Sequence, residues 1–187
     1  MNNKKRIVFL DRDGVINYNP VYLDYVKSAN EFKFLPGAKQ AIKLLKKASI
    51  DVIIISNQTG IGRGIFTEAD LKAIDNKMLK GIESSGGKLK KIAYCIHDPK
   101  AGCDCRKPKT GMFKQTTKGV NIDKENSFYI GDTERDVVAG NSFGIKTIAV
   151  LSGYDREEDM KRWKIKPNFI SKDLLTAVKD IVLSYGF

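Results

Sequence analysis

The chain has 187 residues, 42% of them hydrophobic, so it is long enough to bury a core without disulfide bonds. Its formal net charge of +11 favours anionic partners, but the lysines are spread along the chain, which disfavours nucleic acid without excluding it. No apolar stretch approaches the roughly 20 residues of a membrane span.

The amino-terminal apolar run stops at Asp11, shorter than the about 7–15 apolar residues that a signal peptide needs. The three cysteines are an odd number, which fits a reducing compartment better than a disulfide framework. We therefore expect a cytoplasmic protein. Because clear linkers are missing, we also expect one domain over residues 1–187, and we expect a monomer.

Six short apolar runs predict β-strands, in chain order 6–10, 51–56, 91–96, 127–131, 146–151 and 168–170. Most are continuous rather than alternating, as in strands that are buried on both faces of a parallel sheet. Helical spacing of apolar residues predicts helices over 35–48, 67–87 and 171–185. Strands that alternate with helices indicate an α/β fold, a doubly wound Rossmann-like parallel sheet.

Carboxylates follow two of the predicted strands. Asp11 and Asp13 come directly after the first strand, and Gly14 lets the backbone turn away. Asp132 and Asp136 follow the fourth strand, and share a face if a helix starts near Thr133. Carboxylates that meet at one sheet edge repel each other unless a cation lies among them, and hard oxygen ligands favour Mg²⁺. This pattern predicts phosphoryl chemistry with a carboxylate nucleophile.

The segment 95–105 contains every cysteine and the only histidine of the chain: Cys95, His97, Cys103 and Cys105. Three thiolates and one imidazole form a closed tetrahedral Zn²⁺ site. Because all four positions are filled, such a zinc is structural rather than catalytic. A redox pair would prefer the spacing Cys-x-x-Cys, and buried or chance thiols remain the alternative.

Four motifs together, FLDRDGVIN, IISNQTGIGRG, CRKP and YIGDTERD, occur in the order and spacing of the haloacid dehalogenase (HAD) superfamily of phosphatases. The resemblance covers nearly the whole chain, and within the superfamily the chain is similar to the histidinol-phosphatase-like group. It implies a HAD fold. The segment between the first strand and first helix is too short for a large cap domain.

The resemblance implies catalytic roles. Asp11 is expected to attack phosphorus and form an aspartyl phosphate. Asp13 is expected to protonate the leaving alkoxide and then activate water, which requires a pKa above that of Asp11. Ser56 is expected to hydrogen-bond the transferring phosphoryl group, together with Asn57. Lys107 is expected to neutralise phosphoryl charge and orient Asp11.

The resemblance also implies metal ligands. Mg²⁺ is expected to bind the carboxylate of Asp11, the backbone carbonyl of Asp13, and Asp132, with Asp136 as a supporting carboxylate. Relatives often carry a lysine at the position of Thr133, so the role of that position in this chain stays open.

The expected substrate-binding residues come from several loops: Asn19, Tyr22, Asn57, Gln58, Arg63 and Arg106. Tyr22 is equally compatible with ordinary packing. The glycine-rich stretch 59–64 lacks the spacing of a nucleotide-binding loop, and a tight turn before a helix cap at Thr67 also explains it. Arg106 directly follows a predicted zinc ligand, and in zinc-bearing relatives this arginine helps to recognise the substrate.

The resemblance implies a small sugar bisphosphate as substrate, with removal of the 7-phosphate of D-glycero-D-manno-heptose 1,7-bisphosphate. The product would then serve nucleotide-activated heptose for surface glycans. Histidinol phosphate remains the alternative, which the short zinc loop favours. The charge of +11 keeps a DNA 3′-phosphatase open, and a zinc-stabilised binding protein without catalysis is the alternative outside the enzymes.

Overall fold

The computed structural model of the chain describes residues 4–19 and 25–185. These residues contain one six-stranded sheet, in which every paired strand runs parallel to its neighbours in the order β3-β2-β1-β4-β5-β6. The strands are β1 (Ile7–Leu10), β2 (Asp51–Asn57), β3 (Lys91–Cys95), β4 (Phe128–Gly131), β5 (Lys146–Val150) and β6 (Phe169–Ser171). The predicted fold class is confirmed.

The strands are connected by helices, as expected of βαβ units. The α-helices are α1 (Ala38–Lys47), α2 (Thr59–Gly62), α3 (Glu68–Ser84), α4 (Gly111–Thr116), α5 (Glu134–Phe143), α6 (Glu157–Met160) and α7 (Leu174–Thr176). A 3₁₀ turn spans Pro99–Ala101, and π-helical turns continue α7 over Ala177–Val182. None of the helices in the described part of the chain is long and apolar enough to span a membrane.

Local sequence explains the longest helix. Thr67 caps α3: its side chain accepts a hydrogen bond from the backbone of Asp70, whose carboxylate accepts one from the backbone of Thr67. Buried apolar side chains recur along one face of α3: Leu71, Ile74, Met78 and Ile82. Gly86 follows the helix with a φ of 86°, and this left-handed conformation favours glycine.

Helices cover both faces of the sheet, which explains the continuous apolar strands. All four residues of β1 and all four of β4 are buried. Alternate residues of β1 pack into the hydrophobic cores on opposite faces of the sheet. Val8 and Leu10 belong to one core, and Phe9 belongs to the other. No large cap domain lies between β1 and α1 in residues 11–19 and 25–37.

The strand order reverses direction between β1 and β4. From β1 the chain continues to β2 on one side, while β4 continues to β5 on the other. The loops after β1 and β4 therefore diverge and leave a crevice at the carboxyl ends of these two strands. Ligands bind at this place in open α/β sheets.

Candidate active site

Asp11 and Asp132 lie in this crevice, directly after β1 and β4. The backbone N–H of Asp11 donates to the carbonyl of Ile130 at 3.0 Å, which fixes the first loop to the fourth strand. Gly14 has a φ of 80°, and a Cβ at Gly14 or Gly153 would collide with the carboxylate of Asp132. The Asp132 side chain is thus held in a slot between two glycines.

Lys107 reaches the same crevice from the loop after β3. Its Nζ lies 3.0 Å from the carboxylate of Asp11 and 2.7 Å from that of Asp136. It also donates to the hydroxyl of Tyr129 at 2.8 Å. Burial alone would lower the pKa of Lys107, but the two carboxylates raise it. The lysine is therefore held charged beside the predicted nucleophile.

Three carboxylates converge here: Asp11, Asp132 and Asp136 offer oxygens that lie within 4.8 Å of one another. Burial raises the pKa of Asp132 well above its usual range, and the charges of Asp136 and Asp11 raise it further. Burial also raises the pKa of Asp11, although Lys107 opposes this. One lysine does not balance three acids, so this oxygen cluster fits a divalent cation such as Mg²⁺.

Asp136 is the best compensated of the three. Although burial alone would raise its pKa, the charge of Lys107 lowers it, and hydrogen bonds add to that effect. Thr133 donates to the Oδ2 of Asp136 through its hydroxyl at 2.6 Å and its backbone N–H at 3.1 Å. Thr133 thus binds Asp136 at the start of α5.

The carboxylate of Asp13 does not belong to this cluster and forms an ion pair with Arg12. Burial alone would raise the pKa of Asp13, but Arg12 and hydrogen bonds from Asn17 and Gln58 lower it. The expected order, with the pKa of Asp13 above that of Asp11, is wrong, because the pKa of Asp11 is raised and that of Asp13 is lowered. The reason is that Arg12, which lies between the two acids in the sequence, pairs with Asp13.

Ser56 and Asn57 end β2 beside Lys107. Ser56 is buried and lines the catalytic cavity, a space of about 170 Å³ that Asn19 also borders. The side-chain oxygen of Asn57 accepts from the backbone N–H of Lys107 at 3.1 Å, and its amide donates to the Lys107 carbonyl at 3.2 Å. Asn57 thereby fixes the backbone of the lysine as well as lining the cavity.

Gln58 does not border the catalytic cavity. Its side chain is 1% exposed and its amide donates to Asp13 and Ser56. This position fits support of Asp13 better than the substrate contact predicted from sequence. Tyr22, another predicted contact, lies outside the described residues.

A wider cavity of about 580 Å³ adjoins the catalytic one and is rich in cations. Its basic lining residues are Arg63, Arg106, Lys107, Lys109 and Arg135. Burial lowers the pKa of Arg106, and the nearby charge of Arg135 lowers it further. Such a concentration of positive charge favours a second anionic group beside the catalytic centre.

Arg63 lies in the wall of the wider cavity, where it also joins two loops. Its Nε donates to Asp98 at 3.2 Å and its Nη1 to the hydroxyl of Tyr25 at 3.4 Å. Because Asp98 belongs to the cysteine-containing loop, this ion pair ties that loop to the glycine-rich turn.

The cysteine and histidine side chains of the loop 95–105 meet as one cluster. The three Sγ atoms lie 3.3–3.6 Å apart, and the Nδ1 of His97 lies 3.2 Å from the Sγ of Cys105. A tetrahedral site with Zn–S of about 2.3 Å and Zn–N of about 2.0–2.1 Å has edges of about 3.6–3.8 Å. The donor set and its spacing fit Zn²⁺.

The thiols differ in acidity. Burial raises the pKa of Cys105, and its hydrogen bonds with the other thiols raise it further, to about 12. Burial alone would also raise the pKa of Cys103, but a hydrogen bond from Cys105 lowers it to about 7. Arg106 and Lys107 follow Cys105 directly, so the cluster fixes the backbone that carries both cations.

Several residues near the site were not predicted from sequence, among them Arg12, Tyr129 and Arg135. Arg135 borders both cavities; the only signal for it was its place in the first turn of a helix that starts at the crevice. Tyr129 lies beneath Lys107, and its strand pattern predicted only a buried apolar position.

Comparisons with known proteins agree with this geometry. A family model of HAD-hydrolase-like proteins matches residues 104–177. A D-glycero-β-D-manno-heptose-1,7-bisphosphate 7-phosphatase of Pseudomonas putida is 33% identical over 177 residues, which cover 95% of this chain and 99% of that protein. The enzyme of the same name from Pasteurella multocida is 36% identical, over 84% of this chain and 88% of that protein.

Solved structures show the same relationship. The D,D-heptose 1,7-bisphosphate phosphatase of B. bronchiseptica, complexed with magnesium and phosphate, superposes with a TM-score of 0.88 and 32% identity, over 95% of this chain and 98% of that one. The corresponding Burkholderia thailandensis enzyme gives a TM-score of 0.72 at 29% identity, over 96% and 99%. The chain therefore belongs to the HAD phosphatase family that includes the D-glycero-β-D-manno-heptose-1,7-bisphosphate 7-phosphatases.

Proposed function

We propose that the chain is a Mg²⁺-dependent phosphomonoesterase that removes the 7-phosphate of D-glycero-D-manno-heptose 1,7-bisphosphate. The observation that carries this proposal is the pair of adjoining cavities, one with the carboxylates and Lys107 and the other lined by arginines and lysines. Together they suit a small substrate with two phosphates. The names of the relatives specify the β anomer, which is the first substrate to test.

In the first half of the reaction, a carboxylate oxygen of Asp11 attacks phosphorus. The bond between phosphorus and the sugar oxygen breaks, and its electron pair stays on that oxygen, which takes a proton from Asp13. Because the pKa of Asp13 is lowered, we infer that Asp13 takes this proton from the monoanionic phosphate of the substrate, which becomes a dianion as the ester binds. The product left on the enzyme is an aspartyl phosphate at Asp11.

In the second half, Asp13 removes a proton from water as the water oxygen attacks phosphorus. The bond to Asp11 breaks, its electron pair restores the Asp11 carboxylate, and inorganic phosphate leaves. Ser56 and the ammonium of Lys107 hydrogen-bond the phosphoryl oxygens while charge develops on them.

The metal ligands in this proposal are the carboxylates of Asp11 and Asp132 and the backbone carbonyl of Asp13. Asp136 supports them through its 2.7 Å contact with Lys107. When bound, Mg²⁺ neutralises charge on the carboxylates and the phosphate. Zn²⁺ would be held by Cys95, His97, Cys103 and Cys105, with a structural role.

The second phosphate would occupy the wider cavity, against Arg106 and Arg135. Guanidinium groups bind phosphate with two parallel hydrogen bonds, which gives orientation as well as affinity. Arg63 and Tyr25 border the same cavity, and Asn19 borders the catalytic one. In this arrangement the sugar lies across the boundary between the two cavities.

A phosphate-release assay with Mg²⁺ tests the function against its alternatives. The substrates are heptose 1,7-bisphosphate, histidinol phosphate and 3′-phosphorylated DNA. We expect the highest kcat/KM with the heptose. A preference for histidinol phosphate would reject the proposed substrate, and salt-sensitive turnover of the DNA would favour a nucleic-acid phosphatase. Absence of turnover on every phosphate ester would favour a binding protein.

We also propose that the protein acts as a monomer in the cytoplasm, where its three cysteines, which form no disulfide bond, stay reduced. Size-exclusion chromatography with light scattering measures the mass of the particle directly. A mass of about twice the 20.9 kDa of the chain would contradict the monomer.

A further inference from the structure

Arg12 is fully buried, with 0% of its surface exposed, although arginine is rarely buried without a charged partner. Its Nε and Nη2 donate to the Oδ1 of Asp13 at 3.2 and 3.0 Å. The Nη2 also donates to the Oδ2 at 3.0 Å. A planar guanidinium that contacts both oxygens of a carboxylate fixes its orientation as well as its charge.

Gln58 completes this arrangement from β2. Its Nε2 donates to the Oδ2 of Asp13 at 2.8 Å, and its Oε1 accepts from the Nη2 of Arg12 at 3.0 Å. On the other side, the Nδ2 of Asn17 donates to the Oδ1 of Asp13 at 2.8 Å. Both oxygens of Asp13 are therefore held by neighbours, while 21% of its side chain stays exposed towards the catalytic cavity.

Arg12 is itself held from behind. Its guanidinium carbon lies 5.8 Å from the ring centre of Tyr94 on β3, within the range of a cation–π contact. The hydroxyl of Tyr94 donates to Asp75 on α3 at 2.6 Å. A continuous chain of contacts thus runs from α3 through β3 to Asp13.

We propose that Arg12 is a positioning residue that holds Asp13 in line for proton transfer, with Gln58 as its second support. This proposal rests on the proposed function, because it needs Asp13 to deliver a proton to the leaving oxygen. Neither residue touches the substrate: Arg12 is buried and Gln58 is 1% exposed.

The leaving group separates positioning from general structural support. A primary-alkyl phosphate releases a poor leaving group that needs a proton in the transition state, whereas 4-nitrophenyl phosphate releases a stable phenolate that needs little help. Misplacing Asp13 therefore slows the alkyl ester more than the aryl ester. Loosening the whole site slows both alike.

The experiment compares Arg12→Lys and Gln58→Leu with wild type, using kcat/KM for a primary-alkyl phosphate and for 4-nitrophenyl phosphate. Because kcat/KM reports only the steps up to departure of the leaving group, it excludes the later hydrolysis of the aspartyl phosphate, in which Asp13 acts on both esters alike. Arg12→Lys keeps the positive charge but loses the planar guanidinium that contacts both oxygens of Asp13. Because general acid catalysis is worth about 10²–10⁴ in rate, we expect the alkyl rate to fall roughly tenfold more than the aryl rate. Gln58→Leu should shift the ratio in the same direction, and it keeps the test valid if Arg12→Lys does not fold.

Arg6→Lys is the matched control. Arg6 donates to the backbone carbonyl of Val182 at 2.9 Å, at the opposite end of the sheet, so its replacement should lower thermal stability and leave the alkyl-to-aryl ratio unchanged. An unchanged or increased ratio of alkyl to aryl rates in folded Gln58→Leu and Arg12→Lys would overturn the proposal.

Failure of the proposed function is visible separately. If wild type hydrolyses simple primary-alkyl phosphates but not heptose 1,7-bisphosphate, the proposed substrate is rejected. The ratio measured with the simple esters still decides the role of Arg12.

Discussion

The ammonium group of Lys107 lies 3.0 Å from the carboxylate of Asp11. The two residues are distant in the sequence. Asp11 directly follows β1, and Lys107 lies two positions after Cys105. Asn57 fixes the backbone of Lys107, so the ion pair does not depend on the cysteine cluster alone. This contact joins the predicted nucleophile to the predicted zinc loop.

Asp11→Asn should abolish turnover and keep the fold, because the change is nearly isosteric and removes the nucleophile. Burial raises the pKa of Asp11, so its ionised form costs stability once the pH is above that pKa. Without Mg²⁺ at neutral pH we therefore expect an unfolding temperature equal to or above that of wild type, and less stabilisation on adding Mg²⁺. Residual kcat above about a thousandth of wild type would contradict covalent catalysis by Asp11.

Gly14→Ala should weaken metal binding through Asp132, because a Cβ at Gly14 collides with that carboxylate. We expect the Mg²⁺ concentration for half-maximal activity to rise about tenfold or more, equal to about 1.4 kcal/mol. Gly119→Ala is the matched control: Gly119 also has a positive φ, of 76°, but open space around it. Both variants carry the backbone cost of about 1–2 kcal/mol. Equal Mg²⁺ requirements in the two variants would contradict the inference that Gly14 leaves space for the Asp132 carboxylate.

Cys103→Ser should lose zinc, since a serine hydroxyl is a poor replacement for a thiolate ligand. We expect lower activity because Arg106 and Lys107 lose one of their anchors. Metal analysis of purified protein should give about one zinc per wild-type chain and almost none for the variant. Asp104→Ser, at an exposed position between two ligands, should keep both zinc and activity. Wild-type protein without zinc would reject the zinc site.

Arg135→Gln should reduce the selectivity for heptose 1,7-bisphosphate over heptose 7-phosphate. A hydrogen bond from a charged group to phosphate contributes about 1.5–3 kcal/mol, so we expect KM for the bisphosphate to rise roughly tenfold or more. The KM for heptose 7-phosphate, which lacks the second phosphate, should change much less. Arg162→Gln, at an exposed position outside both cavities, serves as the control. Equal changes for both substrates would place Arg135 at the transferring phosphate instead.

The sequence predicted all six strands, because each is a short run of apolar residues that ends at a polar or glycine-rich loop. The short helices α2, α4 and α6 were missed: four, six and four residues are too few to show a helical period. The carboxyl-terminal helix was predicted, but its π-helical turns over Ala177–Val182 have no separate signature in the residue pattern.

The convergence of Asp11, Asp132 and Asp136 followed from strand topology, because parallel strands bring their carboxyl ends to one edge. The orientation of the Asp13 side chain did not follow from strand topology. It depends on where Arg12 points, and a cation between two acids can pair with either. Only the buried space beside Tyr94 and Gln58 decides that Arg12 turns towards Asp13, and this space is formed by residues distant in the sequence.

Every thiol of the chain belongs to one cluster with His97. A reagent that alkylates cysteine therefore has no target in the chain outside the predicted zinc site. Metal-bound thiolates are shielded from such reagents. Mass spectrometry that counts alkylated cysteines per chain therefore measures the fraction of molecules in a preparation that have lost their metal.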